Sequence, residues 1–282
     1  LSVVEAGDFN GSGEVVIDLD LEKENTIEVT VPGLPNGELG IRVTQITEAE
    51  FGLLRQGYFG LNTSDIERQR AFYETLGFIG EIYPAGPETS TTFAQSLGFP
   101  EDYLIHVSLH SLEDPPTQPF VDTVEFRGNS YREEPPFANL NHLGMAYATY
   151  STPDLDGDIA YLQAEGVEFL SAPAVAPNGE RFVFMMDQDG AYIKLIATDE
   201  GGEPTPGADL VRLVNTNMNV ADLQRSREFY RLLGFTESAP GSQSGSGEFA
   251  AAHGFDGPIA FEGVDVSLGD DTDGATIQLR QW

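Results

Sequence analysis

Four histidines and no cysteine bound the side-chain chemistry open to this 282-residue chain. Without thiols there is no disulfide, thiolate metal site or Cys nucleophile. Imidazoles and carboxylates are left for proton transfer or metal ligation. His106 and His110 alternate along Tyr103–Leu112, a stretch rich in β-branched and aromatic residues, so on a strand they face the same way. No carboxylate stands at a defined spacing from either, which favours a surface or packing role. His142 falls on a predicted strand, Asn141–Thr149, and two readings stay open for it: a hydrogen-bonded structural ring or a ligand contact.

The formal charge is −32, with only Lys23 and Lys194 as lysines and arginine supplying the remaining positive charge. Such a surface repels phosphate backbones and anionic lipid, so neither nucleic acid nor membrane is an expected partner. It suits a cationic ligand or a salt-rich medium, in which screening removes the mutual repulsion of carboxylates. No apolar run approaches the roughly 20 residues needed to cross a bilayer. A soluble protein is expected, with the cytoplasm slightly favoured.

The elements that must position these groups form a repeat. Asp65–Phe78 (DIERQRAFYETLGF) lies on Asp222–Phe235 (DLQRSREFYRLLGF) without a gap, identical at Asp, two Arg, Phe, Tyr, Leu, Gly and Phe. Phe93–Phe99 then matches Phe249–Phe255, and Val107-Ser108-Leu109 matches Val266-Ser267-Leu268. In this frame His253 replaces Leu97, which favours packing over chemistry. Ser64 and Glu67 have capping-box spacing, Ile66, Phe72, Tyr73 and Leu76 make an apolar helix face, and Gly77 ends the helix. Phe72-Tyr73 and Phe229-Tyr230 are expected as core anchors. A middle unit has the same order of elements: strand Asn141–Thr149, helix Leu155–Gly166, strand Val167–Leu170, a hairpin turn at Asn178-Gly179, strand Arg181–Met186, a turn at Asp187–Gly190 and strand Ala191–Ala197.

The third helix, with Asn141-His142-Leu143-Gly144 and Asp187-Gln188-Asp189-Gly190-Ala191-Tyr192-Ile193-Lys194-Leu195, resembles the signature of the vicinal oxygen chelate superfamily, which includes glyoxalase I, bleomycin-resistance proteins and extradiol dioxygenases. The likeness runs from about Gly57 to the end of the chain. It implies an α+β fold in which repeated βαβββ modules pair into a cupped, barrel-like mixed sheet with helices outside. In the family a divalent metal is held by one residue from the first and one from the last strand of each paired module. Those positions carry over to Tyr58 and Asp122, then His142 and Lys194, with Asn215 and Gln278 in the third module. This ligand set is incomplete: a phenol is a poor ligand for a hard cation and an ammonium has no lone pair. The resemblance therefore implies a metal-poor cup in which Tyr58, Asp122, His142 and Lys194 bind a small organic ligand, with a Lys194–Asp122 ion pair replacing the metal charge. It names no catalytic residue.

The expected organisation is a β-rich leader (1–50), paired modules (51–200), a linker (201–209) and a third module (210–282) left without its partner, pairing with a second copy or with a fourth module. Three functions follow from the resemblance: small-molecule binding or turnover without the usual metal, a metal-dependent lyase, epimerase or ring-cleaving dioxygenase, and a non-catalytic interaction scaffold.

Overall fold

A computed structural model describes residues 25–30, 38–43, 56–81, 88–89, 95, 104–113, 119–127, 139–268 and 274–282. The chain divides into two compact units, Leu1–Gly52 and Leu53–Trp282. In the first, β1 (Asn25–Thr30) and β2 (Glu38–Val43) pair antiparallel, as their alternating β-branched residues require. The strand expected at 15–21 lies outside the described residues.

The second unit holds three modules. The first contains β3 (Tyr58–Thr63), α1 (Ile66–Thr75), β4 (Ile79–Glu81), β5 (Glu88–Thr89), β6 (Leu104–Ser111) and β7 (Phe120–Arg127). Its sheet runs β3-β7-β6-β4, with β5 also on β6 and β3 parallel to β7. The second contains β8 (Gly144–Thr152), α2 (Leu155–Ala164), β9 (Ala174–Val175), β10 (Arg181–Met186) and β11 (Tyr192–Ala197). The third contains β12 (Arg212–Asn219), α3 (Leu223–Leu232), β13 (Phe235–Pro240), β14 (Gln243–Gly245), α4 (Glu248–Ala252), β15 (Ile259–Leu268) and β16 (Thr276–Gln281).

The second and third modules share one mixed sheet, ordered β13-β15-β16-β12-β8-β11-β10-β9, with β14 on β15. Their seam is the antiparallel pair β8–β12, running from Arg212 opposite Ser151 to Asn219 opposite Gly144. This differs from the expected pairing of the first module with the second, and the third module does have a partner. The reason lies in β8: every residue from Ala146 to Thr152 is buried, so the strand needs a neighbour on each edge, and β11 and β12 supply them.

Strand alternation splits the core between the two faces of this sheet. On one face Tyr150, Val183, Met185, Ile193, Leu195 and Leu213 pack with Leu155, Ile159 and Leu162 of α2 and with Phe59, Phe72, Tyr73, Leu76 and Phe78 of the first module. The other face, inside the cup, gathers Tyr147, Phe182, Phe184 and Ile196 with Phe249, Ala250, Ile259 and Phe261 of the third module.

The N-cap of α1 is Asp65 rather than Ser64: its carboxylate accepts from the amides of Glu67 and Arg68, both at 3.1 Å. Ser64 is taken by Asp189, whose carboxylate accepts from the Ser64 hydroxyl, the Ser64 amide (3.2 Å), the Thr63 hydroxyl (2.6 Å) and Arg68 (2.9 Å). Asp187 in the same turn accepts from Gln69 Nε2 at 2.5 Å and from the amides of Asp189 and Ala191. The turn between β10 and β11 is thereby fastened to the start of α1. Gly77, Gly166 and Gly234 end α1, α2 and α3 at φ of +86°, +89° and +89°, which a side chain would strain.

Repeated sequence does not ensure repeated burial. Phe72 is 5% exposed, but its counterpart Phe229 is 55% exposed and α3 has no buried residue, against the expectation of a core anchor there. Helix α1 is enclosed between its own sheet and the second module, whereas α3 rests on β13, β15 and β16 of its own module.

Replacing Asp189 by Ala removes the acceptor of the Ser64 amide and hydroxyl, and leaves Thr63 with the Asp65 carbonyl and Arg68 with the Ser64 hydroxyl. Stability is expected to fall by about 2–3 kcal/mol in urea unfolding. Asp156→Ala, which removes an exposed pair with Arg181, is expected to change it by no more than about 1 kcal/mol.

Candidate functional site

Period-two alternation sets the inner wall of the cup. Tyr147 and Thr149 of β8 lie level with Tyr192 and Lys194 of β11 on one side and with Asn217 and Asn215 of β12 on the other. Asn217 is level with Gln278 of β16, and Gln278 with Asp265 of β15. Arg280 follows Gln278 two residues later and so shares its face.

Two cations are held in this wall. Lys194 is buried, paired with Glu180, and its Nζ stands 4.7 Å from the centre of the Phe182 ring. Burial draws its ammonium below the usual lysine range, with Glu180 working in the other direction. Arg280 is 1% exposed, donates to the Tyr147 hydroxyl, and lies 4.2 Å from the centre of the Phe261 ring. Its Nε has no partner, and among the described residues no carboxylate lies within ion-pair distance of it.

Polar groups around these cations are partly matched. Tyr147 donates to Gln278 Oε1 at 3.2 Å across the seam, and burial pushes its hydroxyl up to about 12, with Arg280 opposing. Thr149 donates to Asn215 Oδ1 at 2.8 Å, and Asn217 Nδ2 donates to the Gln278 carbonyl at 3.4 Å. Asn217 Oδ1 and Asp265 Oδ1 are buried without a partner, and burial raises the Asp265 carboxyl above its ordinary range. An unmatched donor and two unmatched acceptors in one wall leave free energy that a complementary ligand can recover.

His253, just after α4, roofs this wall. Its ring lies 4.6 Å from Phe249, 5.1 Å from Phe184 and 5.2 Å from Phe182 between centres. Nδ1 donates to the Phe249 carbonyl at 2.8 Å, so in the neutral ring Nε2 keeps its lone pair. Burial lowers its pKa from 6.5 to about 4. The packing role expected from its alignment with Leu97 is met by these ring contacts.

Of the four residues carried over from the family pattern, Lys194 alone lies in this wall. Tyr58 is 56% exposed on the first module and stacks on Phe120 at 5.6 Å. Asp122 is level with Gly60 on the same separate sheet, its Oδ1 buried without a partner and its carboxyl raised by burial. His142 falls before β8 rather than on it; its Nδ1 is 2.7 Å from the Asn139 carbonyl and its Nε2 3.0 Å from that of Met145, so the ring ties a loop. The expected Lys194–Asp122 pair does not form, since Glu180 holds Lys194 and Asp122 sits on another sheet. Asn215 and Gln278 do lie in the cup. His106 has a carboxylate partner after all: Glu125, opposite on β7, brings Oε2 to 3.2 Å of Nδ1. His110 stacks on Tyr73 at 5.6 Å, and burial lowers its pKa to about 4.

Arg280 is the main residue that sequence reasoning passed over. Its signal was present, since Gln278-Leu279-Arg280 alternates and Gln278 already occupied a mapped position.

A divalent metal needs oxygen or nitrogen lone pairs converging on one point. The wall instead offers an ammonium, a guanidinium and amide oxygens, and among the described residues no group of three or more His, Asp or Glu is placed to hold an ion. The donors do not fit the metal of the family pattern.

The paired modules and their cup define a protein of the vicinal oxygen chelate type. The chain belongs to the Glyoxalase/Bleomycin resistance protein/Dioxygenase superfamily, whose model matches residues 55–195. Among solved structures it is similar to a point mutant of glyoxalase I from Zea mays, with a TM-score of 0.55, 15% identity, and coverage of 80% of this chain and 68% of that one. The unmutated Zea mays glyoxalase I gives a TM-score of 0.54 and 15% identity, over 80% of this chain and 66% of that one. At this identity the likeness shows the fold alone, and the chain spans about two thirds of the maize enzyme. No curated protein matches the sequence.

His253 also supplies a pH signature. The unfolded ring takes up a proton near 6.5 and the buried ring only near 4, so between these values the unfolded chain binds more protons and stability falls as pH drops. The slope is about 1.4 kcal/mol per pH unit for each such ring. Asp122, Asp158, Asp187 and Asp265, all raised by burial, act with the opposite sign, so the share of His253 is read from the difference between the parent and a His253 variant in thermal unfolding at pH 7 and pH 5.5. His253→Leu is expected to reduce the drop in Tm, and His110, lowered by burial in the same way, contributes with the same sign.

Proposed function

We propose that the cup joining the second and third modules binds a small organic molecule carrying an anionic oxygen, without the divalent metal usual to the superfamily. One observation carries this reading: the Arg280 guanidinium is 1% exposed, its Nε has no partner, and it shares an aromatic-walled cup with the unpartnered oxygens of Asn217 and Asp265. A carboxylate or enolate oxygen would take the guanidinium, and a neighbouring hydroxyl or amide N–H would satisfy the two oxygens. Phe261 and Trp282, with ring centres 4.9 Å apart, supply an apolar surface for the rest of the molecule.

The acidic surface suggested a cationic ligand, but the charges fixed inside the cup have the opposite sign. At contact distance they outweigh the surface field, which salt screens beyond about 8–10 Å at physiological strength.

A thermal-shift series with aliphatic and aromatic monocarboxylates tests the proposal. A rise in Tm that Arg280→Met abolishes and His142→Ala preserves is the expected result, with circular dichroism confirming that both variants fold. Metal analysis of the purified protein is expected to give well under one divalent ion per chain. A stoichiometric ion that restores lyase, epimerase or ring-cleaving activity would replace this reading with the metal-dependent one.

A further inference from the structure

Only two side chains of this protein carry a primary amine, Lys23 and Lys194, and Lys194 is buried in the wall of the cup. Removing an ammonium from water costs several kcal/mol, which one carboxylate repays only in part, and a second cation in the same wall adds repulsion. A methionine would fill the same space on β11 without that cost. What an amine offers instead is a nucleophile. A lysine held in apolar surroundings beside another cation yields its proton, and so exposes its lone pair, more readily than a lysine in water.

Three neighbours fit that chemistry. The Phe182 ring, 4.7 Å from Nζ, lines the amine with hydrocarbon. Glu180 holds Nζ and is fixed at the end of the Asn178-Gly179 turn, where its amide donates to Asn178 Oδ1 at 3.1 Å. Its side chain is 27% exposed against 7% for Lys194, so it joins the amine to solvent and can carry a proton either way. Arg280 enters the wall from β16 and donates to Tyr147, which is level with Tyr192, two residues before Lys194 on β11. The charge of Arg280 and burial both draw the ammonium toward its neutral form.

We infer that Lys194 forms an imine with an oxo acid, the carboxylate of the ligand resting on Arg280 and its ketone or aldehyde carbon against Nζ. This rests on the reading of the cup as an anion site and names the class of molecule that the site takes. Glu180 removes a proton from the ammonium, and the freed lone pair on Nζ adds to the carbonyl carbon as the C=O π pair moves to oxygen. That oxygen receives the proton from Glu180. Glu180 then takes a second proton from nitrogen and passes it to the new hydroxyl, which leaves as water while the nitrogen pair closes the C=N bond. In sum, ammonium and carbonyl give a protonated imine and one water, with no oxidant or reductant. Such an imine draws electrons from the carbons beside it, as a Lewis acid does through a carbonyl oxygen.

The full chain is incubated with pyruvate at about 1 mM and sodium cyanoborohydride, which reduces an imine and fixes it in place. Mass spectrometry should show one adduct per chain, with the mass of pyruvic acid less one oxygen atom. Peptide mapping should place it on Lys194 rather than on Lys23 or the α-amine. Arg280→Met, with its fold checked by circular dichroism, should slow labelling roughly tenfold or more. In the parent, excess lactate, which has the carboxylate without the carbonyl, should protect Lys194. A Tm rise with lactate, but no adduct on Lys194, would overturn the imine and leave the anion site standing. Neither a Tm rise nor an adduct would overturn both. Labelling shared between the two lysines, or labelling of Lys194 that lactate does not slow, would also overturn the inference.

Discussion

The antiparallel seam between β8 and β12 is the constraint from which the rest of this molecule follows. A strand buried on both faces cannot end a sheet, because its unpaired amides and carbonyls would have neither water nor protein to bond. Once β12 satisfies β8, the second and third modules curve together. Arg280, Gln278 and Asp265 then face Lys194 and Tyr147, and the first module is left to pack on the opposite face of the same sheet. The site and the position of the first module are consequences of one edge being filled.

Much of the fold was legible from the residues. Helix ends, turns and strand order all express local chemistry, and Gly77, Gly166 and Gly234 mark the same helix terminus in each module. Which module pairs with which was not legible, since three first strands of similar character each offer an edge and the choice depends on packing remote in sequence. The site suffered from the same limit. Asn215, Gln278 and Lys194 could be found by their strand positions, but Lys194 finds Glu180 across a hairpin, and His106 finds Glu125 on a neighbouring strand. The contrast between Phe72 and Phe229 makes the point with the residue type held constant: one motif yields a core residue or an exposed one according to what lies beyond the helix.

Charge in this protein has to be read at two scales. Over the whole surface carboxylates prevail, and that excess governs solubility and long-range approach. Inside the cup the balance is set by a few groups: an ammonium held by Glu180, a guanidinium held by rings and a phenol, and a carboxyl that burial resists ionising. The superfamily signature survives in the helix and strands, while of the mapped metal positions Lys194 carries an ammonium without a lone pair, and Asp122 and His142, which have donor atoms, lie away from the cup. Inheritance of the frame and retention of a ligand set are separate matters, and the family match speaks only to the first.

The Asp187–Gly190 turn is more than a fastening. Its carboxylate at Asp189 grips Thr63, the last residue of β3, and the turn leads directly into β11, four residues before Lys194. Tension applied at the rim of the first module would therefore be delivered, through one short lever of hydrogen bonds, to the backbone that carries the lysine. The end of β3 and the strand that carries Lys194 are thus tied through one turn, and neither can shift against the other without breaking the Asp189 hydrogen bonds.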